Sequence, residues 1–187
     1  MNQSMTSTWV DELAQQHLDA AYNLGRWLLG SEQDAADAVH DAYLRMARSA
    51  HTYAGGNARA WWLTIVRNCC LAKLSSRRRE TPLHGVDAAS AVSALPSSAD
   101  NVVEDHAHSA QCAVLIAEHL RALPAEFREA LVLREIEDLS YREIADVMQV
   151  PIGTVMSRLA RGRARLQRAL LQQALRADTA PERTHGL

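Results

Sequence analysis

The chain has 187 residues, 20 Lys and Arg against 22 Asp and Glu, a formal net charge of −2, 48% hydrophobic residues and 5% aromatic ones. That apolar content predicts a folded core and argues against wholesale disorder; the length allows one large domain or two small ones, and so few aromatic rings favour small helical units over a β-sandwich. The longest apolar runs, such as 112–117, fall far short of the roughly 18 residues of a membrane span, no secretory signal opens the chain, and three cysteines, two of them adjacent, cannot make a disulfide framework, so the expectation is a soluble chain from a reducing compartment.

Residues 9–29 place Leu13, His17 or Leu18, Ala21, Leu24 and Leu28 at helical spacing. The acidic stretch Ser31-Glu32-Gln33-Asp34 then opens a second helix, where negative charge favours the N-terminal dipole. One face of it carries Ala35, Val39, Ala42, Tyr43, Met46 and Ala47, the other Asp34, Asp37, Asp41 and Arg45. His51 to Asn57 reads as a loop whose Gly55-Gly56 pair lets backbone approach a ligand closely. A third helix is predicted over Ala58 to Ser75, with Trp61 or Trp62, Ile65, Cys69 and Ala72 at core spacing. Two adjacent Trp cannot face one way on a helix, so at least one of them is core, and Cys69 and Cys70 read as small core residues.

Charge comes in blocks. Residues 1–50 sum to −4, whereas 51–79 hold Arg59, Arg67, Lys73, Arg77, Arg78 and Arg79 with no acid. Screening confines each field to about 8–10 Å, so a partner meets the local positive block and not the global total. Such a surface can track a phosphate backbone, and aromatic rings beside it can stack on unpaired bases. The acidic face one helix earlier argues for a protein partner there.

From Glu80 to about Asp105 the periodicity is lost among Pro82, Pro96, serines and acids, which predicts a linker. A second domain follows over 106–176. Its helices are predicted at Ala107–Leu120, at Ala125–Ile136 behind Pro124, at Tyr141–Gln149 behind a capping box of Ser140 and Glu143, and at Thr154–Leu175 after the turn Val150-Pro151-Ile152-Gly153. Two short helices joined by a tight turn, the second with six Arg and no acid between Ile152 and Arg176, form a helix-turn-helix. Ile144, Met148, Val155 and Leu159 supply its small core, leaving Thr154, Ser157, Arg158 and Arg161 to meet base edges or phosphates. His106-x-His108 with Cys112 matches no closed zinc site, and no phosphate loop, nucleophile elbow or HExxH is present. No metal, cofactor or catalytic centre is expected. The fold class expected is all-α, two small helical domains (1–79 and 106–176) joined by a flexible linker (80–105), with a tail over 177–187.

The stretch from Asp34 through Asp37, His40, Asp41, Tyr43 and Arg45, followed by Arg59-Ala-Trp61-Trp62 and Arg67-Asn68, resembles region two of bacterial sigma factors. Leu123-Pro-Ala-Glu-Phe127-Arg128, Leu139-Ser-Tyr-Arg-Glu-Ile-Ala and Gly153-Thr-Val-Met-Ser-Arg158-Leu resemble region four, and the absence of a middle domain is similar to the extracytoplasmic-function branch. The resemblance implies a dissociable initiation subunit of cytoplasmic RNA polymerase with no active site of its own. It implies that Asp34, Asp37, Asp41 and Arg45 bind the clamp helices of the largest polymerase subunit, with the flap as a further polymerase contact. Thr52, Tyr53 and Asn57 in the loop, with Arg59, Trp61, Arg67, Asn68 and Lys73, would bind the minus-ten element and capture a flipped base. Thr154, Ser157, Arg158 and Arg161 would read the minus-thirty-five element, with Arg163 and Arg165 near phosphates, and an anti-sigma factor would be a further partner. His40 stands where the family usually has Gln, and Asp41 where it usually has Glu. A stand-alone regulator with a sensing domain before its helix-turn-helix is the alternative from another class.

Overall fold

In the computed structural model, which describes residues 3–80 and 105–178, the helix expected over 9–29 is two: α1 (Gln3–Gln16) and α2 (Leu18–Leu29). His17 leaves helical geometry at φ −120°, ψ 25°, yet Ala21 N–H still donates to its carbonyl at 3.1 Å, so the chain bends while the ladder continues on both sides. The bend turns Leu18 outward, and Leu13, Ala21, Leu24 and Leu28 remain buried. Gly30, in the left-handed region at φ 72°, closes α2. Ser31 caps α3 (Glu32–Ser49), its hydroxyl accepting from Asp34 N–H at 3.3 Å. A short 3₁₀ turn, Ala50–Thr52, leads into the loop before α4 (Ala58–Glu80), whose first turn is capped by the Asn57 side chain accepting from Ala60 N–H at 2.9 Å.

α4 runs a turn beyond the expected end at Ser75 and settles the register that the adjacent tryptophans left open. Trp62 is fully buried, with Leu63, Val66, Cys69 and Cys70 on the same stripe, and Trp61 is half-buried at its edge. Ile65 is only half-buried and Ala72 is exposed, because the inner face is rotated by one residue from the expected one. This stripe packs on α2 and α3. Burial raises the Cys69 thiol and pushes Cys70 up to about 12, so both cysteines act as packing groups.

The second group of helices comprises α5 (Asp105–Arg121), α6 (Ala125–Leu131), α7 (Tyr141–Met148) and α8 (Ile152–Asp178). The helix expected to run from Ala125 to Ile136 widens after Leu131 into a π turn over Val132–Ile136. Glu137 N–H reaches back to Val132 at 3.1 Å and Leu139 N–H to Leu133 at 3.0 Å; the extra residue buries Val132 and Leu133 and also turns Glu137 inward. Both halves of the predicted capping box form at α7, and Gln149 ends the helix at φ 55°. Ile144, Met148, Val155 and Leu159 are buried as the pattern requires. The expected linker and tail lie, apart from the helix ends at Glu80, Asp105 and 177–178, outside the described residues.

The two groups do not stay apart. Their buried side chains form one continuous core, with α7 packed on α4 and α6 on α2. Within the first group α2 crosses α3 at Gly25, where an added Cβ would lie 3.1 Å from Ala35 Cβ and 3.3 Å from its Cα. Helix propensity alone favours Ala over Gly by about 1 kcal/mol, but backbone atoms of α3 cannot step aside as a flexible side chain would. We expect Gly25→Ala to lower stability by roughly 1–2 kcal/mol through overpacking, read as a reduced urea midpoint; a raised midpoint would mean the helices separate freely.

Candidate functional site

The acidic face of α3 divides in two. Asp34 is drawn toward α4, where it pairs with Arg77 and with Lys73 at 3.6 Å, and Lys73 also binds Asp37 at 2.9 Å. A hydrogen bond from Ser31, then the Arg77 and Lys73 charges, hold the Asp34 carboxyl below its usual range. Asp41 and Arg45, by contrast, are exposed and carry no ion pair among the described residues. Beside this face lies a groove of about 630 Å³ lined by Leu18, Tyr22, Val39, His40 and Tyr43. Tyr43 donates to Asp11 across its rim at 2.6 Å, which raises the phenol above its ordinary range. The groove is assembled from α1, α2 and α3, so no single stretch of sequence announces it.

The loop before α4 is exposed but internally tied. Thr52 donates to the Ser49 carbonyl at 2.7 Å and Tyr53 to the Gly56 carbonyl at 2.6 Å. Gly55 and Gly56 take φ of 93° and 97° with open space around them, a conformation L side chains rarely adopt. The Tyr53 ring lies 5.1 Å from Trp9 and 5.3 Å from Trp61, and Trp9 stacks on Trp61 at 6.0 Å. Tyr53 and Trp61 were expected at this site; Trp9 was not, since it arrives from the first helix, 52 residues before Trp61.

The basic residues of α4 face carboxylates of the second group. Arg59 donates to Glu137 at 2.9 Å, and Arg67 makes a two-pronged contact with Glu129, its Nη2 arm at 3.3 Å. Asn23 also donates to Glu137 at 3.3 Å, and the Asn57 amide reaches Glu143. Glu129 and Glu137 are only 4% and 6% exposed, the two charged side chains buried among the described residues. Arg121 lies 5.3 Å over the Trp27 ring from the other side of the same seam. Asn68 is exposed.

On α8 the expected residues separate into free and engaged. Ser157 is exposed and donates to the Thr154 carbonyl at 2.9 Å. Arg158 is half-buried and Arg161 exposed, neither with an ion pair among the described residues. Arg163 instead holds Glu135 through two donors at 3.0 and 2.6 Å, which raises its guanidinium further. Arg165 lies 4.7 Å over the Phe127 ring, a cation–π contact. Ile152 and Met156 are exposed on the same outer face. No group of three metal-ligating side chains occurs among the described residues, and no helix there is long and apolar enough to cross a membrane.

Comparison with known proteins matches Sigma-70 region 2 over residues 13–80 and Sigma-70, region 4 over residues 113–166. The ECF RNA polymerase sigma factor SigE of Mycolicibacterium smegmatis is 34% identical over 172 residues, which cover 89% of this chain but only 63% of SigE. The RNA polymerase sigma-H factor of Pseudomonas aeruginosa is 34% identical over 74% of each chain, and the ECF RNA polymerase sigma-E factor of Escherichia coli 31% over 70% of each. Among solved structures, the sigma factor RpoE in complex with the anti-sigma factor NepR from Bartonella quintana has a TM-score of 0.68 at 24% identity, covering 86% of this chain and 95% of that one. CnrH in complex with the cytosolic domain of CnrY has a TM-score of 0.58 at 21% identity, covering 91% and 92%. Both likenesses are of fold.

Glu143 serves the α7 cap and the Asn57 contact together. Hydrogen bonds with Ser140, and behind them the Arg59 charge and the Asn57 amide, lower its pKa from the ordinary 4.5. A carboxyl depressed in the fold contributes stability that is complete above about pH 5 and is lost as pH falls through the folded value. Glu143→Gln should therefore flatten the decline of the urea midpoint between about pH 5 and pH 3 and cost less than about 1 kcal/mol at neutral pH, because Gln can still close the cap.

Proposed function

Because the chain belongs to the extracytoplasmic-function branch of the sigma-70 family, we propose that it is a sigma factor that directs core RNA polymerase to specific promoters and assists their melting in a stress or extracytoplasmic response. The observation that carries this reading is the order of its surfaces: region two with a basic α4 beside an aromatic cluster, then region four with an outward face of Ser157, Arg158 and Arg161. It acts in the cytoplasm, has no active site and requires no cofactor. Its modules span about 1–79 and 106–176, joined by 80–105.

Exposed Asp37 and Asp41, with Arg45 and the adjoining groove, form the polymerase-facing surface that meets the clamp helices; Asp34, tied to α4, sets its edge. Thr154, Ser157, Arg158 and Arg161 read the minus-thirty-five element, where a planar guanidinium can grip two acceptors of one guanine. Arg163 and Arg165, already engaged by Glu135 and Phe127, serve as phosphate neighbours that hold the helix in place. The stack of Trp9, Tyr53 and Trp61 stands beside the loop Thr52–Asn57, where a base leaving the duplex finds aromatic surface. Arg59, Arg67, Asn68 and Lys73 follow the backbone of the same strand. Opening costs about 1.4 kcal/mol of stacking per base-pair step, which binding must offset, and polymerase raises the effective concentration of each module at its own element. An anti-sigma factor is a further partner; the relatives of similar fold were solved with NepR and with CnrY.

Transcription in vitro with purified core polymerase tests the reading: promoter-specific RNA should require both the chain and core. Asp37→Lys with Asp41→Lys should abolish core association while the circular dichroism spectrum stays helical; full core binding by that variant would reject the acidic surface. Arg158→Ala or Arg161→Ala should each cost about 1–3 kcal/mol at the upstream element if its contact is bidentate, measured as promoter affinity of the holoenzyme, with the loss confined to promoters carrying the contacted base.

A further inference from the structure

The loop from Thr52 to Asn57 has little packing of its own. Thr52, Ala54, Gly55, Gly56 and Asn57 are exposed, and nothing lies within 4 Å of the place a Cβ would take at Gly55 or Gly56. Two adjacent glycines open many shapes to such a segment, so holding one of them costs conformational entropy. The bonds that shape it are short-range: Thr52 to the Ser49 carbonyl, the Tyr53 amide to the Ala50 carbonyl at 3.2 Å, and the Tyr53 hydroxyl to the Gly56 carbonyl. Asn57 fixes the far end by capping α4. At the near end the loop leans outward through the Tyr53 ring, against Trp61 of α4 and Trp9 of α1.

Of these three half-buried rings, Trp9 is the common plate. It lies 30° from the plane of Tyr53 and 27° from that of Trp61, whereas those two meet at 49°. Centroid separations of 5.1, 5.3 and 6.0 Å are those of rings in direct contact. A base therefore cannot enter between them and must lie against the outside of a platform that is already built. Trp9 rides on a helix fixed independently of the loop: Val10 and Leu13 are buried in the core, and Asp11 accepts from Tyr43 at 2.6 Å. α1 thus brings to Tyr53 a ring whose place does not depend on the loop. A loop ordered in advance incurs no ordering cost at the moment a base leaves the duplex.

We propose that Trp9 is a positioning residue for promoter opening: from α1 it holds the Tyr53 ring and Trp61, and through Tyr53 the loop Thr52–Asn57, in the shape that receives a base leaving the duplex. Trp9 acts through its two neighbours and need not touch the base. The inference rests on the reading of that loop as the base-receiving element.

The test has two arms. In the free chain, hydrogen exchange at the Tyr53 amide reports whether the loop is held. Trp9→Ala should speed it by about 10-fold, with the amides of Trp62 to Cys70 on α4 unchanged, and Trp9→Phe should restore most of the protection. In the holoenzyme, abasic sites are scanned along the non-template strand of the minus-ten element and opening is followed by permanganate reactivity. At the captured position an abasic site should slow wild-type opening by roughly 10-fold. Trp9→Ala should be slowed by about as much on the intact promoter, and the abasic site should then add less than about 3-fold. Core affinity and closed-complex affinity should stay within about 2-fold of wild type. A tryptophan that only stabilises the fold would lower all of these together and add its effect in full to that of the abasic site. Trp9→Leu, which keeps apolar bulk without a ring, repeats both arms should the alanine variant fail to fold. Unchanged exchange at Tyr53 overturns the brace. An abasic penalty that Trp9→Ala suffers in full removes the positioning role alone. If wild-type opening is indifferent to an abasic site at every position, the base-receiving reading of the loop falls and takes that role with it, while the exchange arm still reports whether Trp9 holds Tyr53.

Discussion

The helix α4 carries a dense positive charge that the fold must counter, and the way it does so organises the molecule. Lys73 and Arg77, toward its C-terminal end, take Asp37 and Asp34 from α3. Arg59 and Arg67, toward its start, take Glu137 and Glu129 from region four. Pairs of unit charges about 4 Å apart near a protein surface attract by about 4 kcal/mol before desolvation is counted, and exposed pairs retain at most about 1 kcal/mol of that. Asp37 is well exposed, so its contact with Lys73 is screened and exchangeable. The Arg67–Glu129 pair has side chains 13% and 5% exposed, so salt reaches it poorly and its geometry decides whether region four can sit on α4 at all.

Local order was legible where the signals are local. The capping box at Ser140 and Glu143, the turn before α8 and the core of Ile144, Met148, Val155 and Leu159 follow from residues within a few positions of one another, and the structure has them as read. The side chain that α4 buries was not decidable from two neighbouring tryptophans, because a rotation of one residue leaves either on the apolar stripe; packing against α2 and α3 selects Trp62. The break at His17 and the π turn after Leu131 escape a 3.6-residue periodicity, since each keeps apolar residues at acceptable spacing on both sides and shifts only the register between them.

The candidate surfaces were legible by charge sign but not by partner. A basic helix announces that it needs anions without saying whether they come from DNA or from the same chain. Glu129 and Glu137 look in sequence like solvent-facing acids on amphipathic helices, and nothing within four residues marks them as buried. Arg163 and Arg165 share the composition of Arg158 and Arg161, yet Glu135 and Phe127 engage the first two, while the others have no ion pair among the described residues. The groove beside the acidic face of α3 and the arrival of Trp9 against Tyr53 depend on contacts between distant segments, which no spacing rule encodes.

The two basic helices therefore differ in how far their charge is already countered within the fold. Arg158 and Arg161 carry no ion pair among the described residues, so on the proposed function they need no rearrangement before meeting base edges. Arg59 and Arg67 are already paired with Glu137 and Glu129, so on the proposed function a phosphate would have to displace a carboxylate, an exchange favoured where it is held at high local concentration. On the same proposal, a polymerase that grips the acidic surface of α3 would supply this condition without touching α4 itself. The near-cancellation of charge over the whole chain is therefore unevenly distributed in space: Arg59, Arg67, Lys73 and Arg77 on α4 are each met by a carboxylate, whereas Arg158 and Arg161 on α8 carry no ion pair among the described residues.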